Sequence, residues 1–124
     1  MQVTPLESLE QTWLFQWVST QEGRYPELKL MHHIPNGGKR DKITAKNLKI
    51  EGVKAGVPDI CLPVSRHGYH GLYIELKRIG GKPSVEQKKW IKELDKQGYK
   101  AVTREGWIEA AKTIIDYLGM DVQL

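Results

Sequence analysis

Apolar and polar side chains alternate through Gly71-Leu72-Tyr73-Ile74-Glu75-Leu76-Lys77. Alternation at period two predicts a strand over residues 71–78, with Tyr73, Glu75 and Lys77 on one face and Leu72, Ile74 and Leu76 turned into a core. A carboxylate and an ammonium then stand side by side on a rigid element. Asp59 follows Gly56-Val57-Pro58 and opens an apolar run over residues 59–64 that reads as the preceding strand. Paired as a hairpin about a turn at residues 65–68, the two strands bring Asp59 level with Glu75 and Lys77, far from the turn. Two carboxylates held together repel each other, and a divalent cation relieves that repulsion. Magnesium suits such a site because it takes oxygen ligands and needs only one or two protein carboxylates beside a phosphate, and manganese substitutes for it. The cation polarises phosphate and acidifies water, while a neighbouring lysine steadies developing charge. That chemistry is phosphodiester hydrolysis. The plainer reading is a solvated strand face, since Glu-x-Lys alone is common; Asp59 on the neighbouring strand gives the pair its weight.

The positioning elements follow from local signals. Thr4-Pro5-Leu6-Glu7 predicts a helix start with Thr4 as N-cap and Glu7 as its N3 partner, and Leu6, Leu9, Trp13 and Trp17 share a face of a helix running to about Gln21. A short strand is predicted over residues 28–34, then a turn or loop at Pro35-Asn36-Gly37-Gly38, then a basic stretch over residues 39–51 that can hold a short helix. After the hairpin, Gly80-Gly81 breaks the chain. Ser84-Val85-Glu86-Gln87 has capping-box spacing and starts a helix with Val85, Ile91 and Leu94 on its apolar side, ending near Gly98. A strand over residues 99–103 and a helix over residues 105–118, burying Trp107, Ile108, Ala111, Ile114, Ile115 and Leu118, complete the order. The fold class is α/β, a small central mixed sheet flanked by helices, with residues 1–124 as one domain.

Composition sets bounds. The chain has 124 residues, 40% hydrophobic and 27% charged, as expected for a globular protein. Its formal charge is +4, which is compatible with a polyanionic partner without establishing one. One cysteine, Cys61, excludes an internal disulfide and a cysteine-rich zinc site; within Ile60-Cys61-Leu62 it reads as a small buried hydrophobe. Apolar runs are too short to cross a bilayer and no signal-peptide pattern opens the chain, so an intracellular protein is expected. The histidines His32, His33, His67 and His70 have no zinc-site spacing and read as surface or loop residues, with His33 nearest the Asn36 loop. Trp13, Trp17 and Trp107 lie in helical stripes and read as core. Neither Gly38-Lys39 nor Gly81-Lys82 completes a P-loop, so no nucleotide cofactor is expected.

Pro58-Asp59 with Glu75-Leu76-Lys77 resembles the PD-(D/E)xK nuclease signature. Glu7-Ser8-Leu9-Glu10-Gln11, His33-Ile34-Pro35-Asn36-Gly37-Gly38, Gly52-Val53-Lys54-Ala55-Gly56-Val57-Pro58-Asp59 and Ser84-Val85-Glu86-Gln87 occur in the order seen in the virus-type replication-repair nuclease (VRR-NUC) domain. The resemblance runs from about Glu7 to Leu118 and is to the compact stand-alone members of phages and bacteria. It implies a restriction-endonuclease-like fold and an endonuclease acting on branched or structured DNA such as four-way junctions. By the same resemblance Asp59, Glu75 and the Leu76 carbonyl are metal ligands, Lys77 is the catalytic lysine, Glu7 reaches the metal from the first helix, and Gln87 is an active-site glutamine. Glu7 and Gln87 also read as capping partners, and Glu10 competes with Glu7 because it falls inside the apolar stripe, where a carboxylate needs a reason to be.

The loop Asn36-Gly37-Gly38-Lys39-Arg40 sets glycines beside two cations, a pattern that lets a backbone approach phosphates, with Lys42, Lys46, Lys49 and Lys54 extending the basic stretch. A four-way junction offers two equivalent strands, so a chain with one active site is expected to act as a homodimer. The alternative function is a non-catalytic nucleic-acid-binding module on the same fold, which would have lost an acidic or lysine position; none is lost here. No reader of a 2′-hydroxyl is recognisable, so the residues do not separate DNA from RNA.

Overall fold

A computed structural model describes residues 4–35 and 42–124. The elements are α1 (Glu7–Gln21), a 3-10 turn (Pro26–Leu30), β1 (His32–His33), α2 (Lys42–Ile50), β2 (Ile60–Leu62), β3 (Leu72–Lys77), α3 (Val85–Lys96), β4 (Lys100–Glu105) and α4 (Trp107–Leu118). The strands form one mixed sheet in the order β1-β2-β3-β4, antiparallel at the first two junctions and parallel at the third. This is the mixed α/β arrangement expected. The β2–β3 register pairs Ile60 with Ile74 and Leu62 with Leu72, so the hairpin sets Asp59 level with Glu75.

Leu72, Ile74 and Leu76 of β3 are each fully buried, as the alternation predicts, against Leu14 and Val18 of α1 and Ala110, Ala111 and Ile114 of α4. Burial of several such side chains, each contributing about 1.5–3 kcal/mol, makes this layer the main source of cohesion. Tyr117 joins it and donates its hydroxyl to the Val64 carbonyl at 2.6 Å. On the other face α3 packs over β4, and no residue of α3 is fully buried. Its N-terminus forms the predicted capping box: Ser84 Oγ accepts from the Gln87 amide at 3.2 Å and Gln87 Oε1 from the Ser84 amide at 2.7 Å. Cys61 is a buried free thiol, as read from its neighbours. No helix among the described residues is long and apolar enough to cross a membrane.

Several expectations are corrected. Most of residues 28–34 is not strand: Pro26 opens a 3-10 turn that buries Leu28, and only His32–His33 pair with β2. Thr4 does not cap α1, which starts two residues later on an extended Leu6 without a side-chain cap. The Leu6 carbonyl accepts the Leu9 and Glu10 amides, which leaves the Glu7 side chain to point elsewhere. The buried row of α1 is Glu10, Leu14 and Val18, while Leu6 and Leu9 are exposed and Trp13 and Trp17 half-buried. Apolar residues lie on nearly every side of this helix, so periodicity alone could not choose the inward face. Trp13, Trp17 and Trp107 line a shallow groove of about 520 Å³ with Gln16 and Thr20, although Trp17 and Trp107 also touch the core. Val85 and Ile108 are exposed, since each falls in the first turn of its helix on the outward side. The last helix begins at Trp107 because Glu105 ends the strand, where its carboxylate accepts the Gly80 amide at 2.6 Å. The loop Asn36-Gly37-Gly38-Lys39-Arg40 lies outside the described residues.

One close approach joins the loop before Asp59 to α3. Gly56 has φ of +92°, and a Cβ built there would lie 2.7 Å from the Glu86 carbonyl carbon and oxygen. Backbone cannot yield as a side chain would. Gly56→Ala is therefore expected to destabilise the fold by about 1–3 kcal/mol, measured by urea denaturation. A variant as stable as the parent would show that the loop does not need this contact.

Candidate metal and catalytic site

The acidic pair is assembled by β2 and β3. Asp59 stands one residue before β2, and its backbone amide donates to Glu75 Oε2 at 3.3 Å. In return, Asp59 Oδ2 accepts the Leu76 amide at 3.0 Å. Each acid is thus held by the backbone of the other's strand. The Asp59 carbonyl accepts the Ile34 amide at 2.6 Å and lies 2.9 Å from His33 Nδ1, so β1 braces the same residue from the far side. Glu75 is fully buried, and its second oxygen, Oε1, accepts Gln87 Nε2 at 2.7 Å. Gln87 therefore serves both readings: one end of its amide closes the helix cap and the other holds Glu75.

Lys77, two residues along the same strand face, places Nζ 3.6 Å from Glu75 Oε1 and 3.9 Å from Glu7 Oε2. Glu7 comes from the first turn of α1. Its ligand oxygen lies, with those of Asp59 and Glu75, inside a group whose atoms are all within 4.8 Å of one another. Among the described residues this is the one cluster of three potential metal-ligating side chains; all four histidines are exposed and outside it. The structure thus brings together Glu7, Asp59, Glu75, Lys77 and Gln87. Leu76 contributes its amide to Asp59 and its buried side chain to the core.

Burial governs the electrostatics. Loss of solvent and the facing Asp59 push the Glu75 carboxyl up to about 8, against the partial relief of Lys77. Asp59 is raised too, mainly by loss of solvent, while its hydrogen bond from the Leu76 amide and the Lys77 charge pull the other way. Glu7 is raised by partial burial, then lowered by Lys77. Three ionised carboxylates face the Lys77 ammonium, with Arg78 giving further relief to Glu7, so the cluster carries an excess of negative charge. A hard cation that takes oxygen ligands fits this donor set.

Tyr73 shares the face of Glu75 but is not an acid near neutral pH. Its hydroxyl, desolvated and next to the Cys61 thiol, is pushed up to about 12, and its ring meets Tyr99 edge-on at 5.4 Å. Sequence reasoning noticed His33 but not its contact with Asp59; two adjacent histidines carry no signal of that kind until the strand register is known. Lys46, Lys49 and Lys54 are exposed.

The raised Glu75 carboxyl has a thermodynamic consequence. Between the ordinary value of 4.5 and about 8, the folded chain keeps a proton that the unfolded chain has lost. Metal-free stability therefore falls as pH climbs through that window and levels off above it. Thermal melts in EDTA are expected to give a lower Tm at pH ~8.5 than at pH ~5.5, with Glu75→Gln flattening much of the difference. A Tm that rises over the same range, unaffected by Glu75→Gln, would contradict the burial argument.

The chain has known relatives in fold and sequence. The model of the VRR-NUC domain matches residues 6–106. A solved structure described as a VRR_NUC domain protein is 33% identical, with a TM-score of 0.81 over 94% of this chain and 91% of that one. No curated protein matches. A match this extensive, reached through both sequence and fold, places the chain in the VRR-NUC family of nuclease-type domains, on a fold like that of the PD-(D/E)xK nucleases.

Proposed function

We propose that this chain is a magnesium-dependent DNA endonuclease, with Asp59, Glu75 and Lys77 at the centre of its active site. The observation that carries this reading is the convergence of three carboxylates and one lysine, from α1, the start of β2 and β3, in a family of nuclease type. Asp59, Glu75 and Glu7 would hold the metal, joined by the Leu76 carbonyl as in the family's pattern, with manganese able to replace magnesium. A divalent cation here supplies Lewis-acid polarisation of a phosphate and a lowered pKa for water.

The chain's own residues do the positioning. Asp59 is immobilised by the Leu76 amide and Glu75 by Gln87, so neither acid must reorganise when a phosphate arrives. Lys77, only 13% exposed and beside both glutamates, is preorganised to meet negative charge growing on the phosphate. Gln87 keeps Glu75 turned inward. The net charge of +4 and the exposed lysines of α2 favour a polyanion, with Asn36, Gly37, Gly38, Lys39 and Arg40 as further backbone contacts. The preferred substrate in this reading is branched or structured DNA such as a four-way junction, cut inside cells by a homodimer that presents one site to each equivalent strand.

The test incubates labelled junction, flap, single-stranded and linear duplex DNA with the protein in magnesium, manganese or EDTA. Cutting is expected with either metal and not with EDTA, strongest on the junction. Lys77→Ala is expected to lower kcat by about 100- to 1000-fold while leaving DNA binding in place. Full binding by parent and Asp59→Ala alike, with no cutting under any metal, would instead indicate a non-catalytic binding module. Sedimentation should show a dimer at the concentrations where junctions are cut. A monomer with full junction-cutting activity would remove the dimer from the account.

A further inference from the structure

Glu10 is a carboxylate only 3% exposed, on the same helix turn as Glu7 but outside the acidic cluster. Its Oε1 accepts the Trp107 amide, the first of α4, at 3.1 Å. Gly106, the N-cap residue of α4, offers no side chain to close that end. Helix α4 is therefore capped from another helix. A carboxylate there satisfies an orphan N–H and meets the positive end of the helix dipole, which explains why an acid is tolerated in the buried row of α1. Gly106 makes room for it: φ is +80°, and a Cβ built there would already crowd Ile79 at 3.3 Å and lie 3.6 Å from Glu10 Oε2.

The same short segment grips the catalytic strand. The Gly106 amide donates to the Lys77 carbonyl at 2.8 Å. Two consecutive amides thus form a strap, Gly106 holding the backbone of Lys77 and Trp107 holding the carboxylate of Glu10. Glu7 lies three residues before Glu10, on a neighbouring position of the helix surface, with its Oε2 3.9 Å from Lys77 Nζ. The first turn of α1 makes no side-chain cap of its own, so the Glu10 contact is a side-chain tie between this turn and α4.

We infer that Glu10 is a positioning residue, which pins the first turn of α1 to the end of β3 through the α4 N-terminus and so sets the reach of Glu7 into the carboxylate cluster. This rests on the metal-site reading proposed above. Glu10 acts through Glu7, and the two acids of this turn have separate duties.

The experiment compares the full-length parent, Glu10→Ala, Glu10→Gln, Glu7→Ala and the double variant Glu7→Ala/Glu10→Ala, by Mn2+ titration calorimetry, thermal melting and cleavage kinetics. Glu10→Ala is expected to weaken Mn2+ binding by about tenfold and to lower kcat with little change in KM, in the manner of a residue that orients a ligand. Glu10→Gln keeps an oxygen acceptor for the Trp107 amide and should restore affinity to within about threefold of the parent. The double variant should bind Mn2+ no more weakly than Glu7→Ala, because the lost interaction is the same one. Should Glu10→Ala not fold, Glu10→Asp retains the charge with a shorter reach, and about a threefold loss of Mn2+ affinity with intact helix content is expected. Parent-like Mn2+ affinity in Glu10→Ala, or in Glu10→Asp if that is the variant that folds, would overturn the positioning role alone, even with a lowered Tm. Additive losses in the double variant would overturn it equally. A parent that binds no Mn2+ would overturn the metal-site reading and this inference together.

Discussion

The antiparallel register of β2 on β3 is the constraint from which the site follows. It sets Asp59 level with Glu75, and hydrogen bonds to Glu75 Oε2 and from the Leu76 amide lock that pairing from both sides. A slip of one residue would turn Glu75 and Lys77 into the core and Leu72, Ile74 and Leu76 out of it. The apolar layer against α1 and α4 therefore enforces the register, and the register enforces the carboxylate pair. Core packing and site geometry are one decision here, made by the period of a six-residue strand.

That arrangement is electrostatically expensive. A fully buried glutamate facing a second carboxylate is pushed toward its neutral form, and the Lys77 ammonium, the Gln87 side-chain amide and the Asp59 backbone amide offset the ionised state only in part. The structure tolerates the conflict by using rigid donors: a strand amide for Asp59 and a side chain already committed to a helix cap for Gln87. Such donors barely reorganise, so they hold the carboxylates in place although the cluster is short of positive charge. Local consistency between burial and polarity is given up at this cluster, the kind of conflict expected of a functional site.

Much of this was legible in the chain itself. The alternation around Glu75, the proline-glycine punctuation before Asp59 and the capping spacing at Ser84 are short-range signals, and each maps onto an observed element. The VRR-NUC motifs named the family that both comparisons then showed. What misled were positions decided by partners far along the chain. Helix α1 carries Leu9, Trp13, Leu14, Trp17 and Val18 around most of its circumference, with Leu6 just before it, so a stripe could be drawn on the wrong side. Thr4 has the chemistry of a cap, yet the helix starts after it, with Glu7 drawn toward Lys77 instead. Residues 28–34 look extended in composition, yet Pro26 sets a 3-10 turn and leaves only two residues to pair.

Glu7 and Glu10 show why residue type and spacing could not divide the work between them. Both are glutamates in the first turn of α1, and the stronger sequence anomaly, an acid within an apolar stripe, belonged to Glu10. The fold gives that anomaly a structural answer: the N-terminus of α4, a segment 97 residues along the chain, supplies the amide that makes a buried carboxylate tolerable. Glu7, half-exposed and without such a partner, is the one left facing Lys77 and the acidic pair. A buried acid is thus not by itself a mark of the reacting centre. The distinction lies in what satisfies the carboxylate: Glu10 is matched by a backbone amide and a helix dipole, which do not leave, whereas Glu7, Asp59 and Glu75 together exceed the positive charge around them. Unmatched charge held in rigid geometry is what a divalent cation and a phosphate can use, and matched charge is what holds that geometry still.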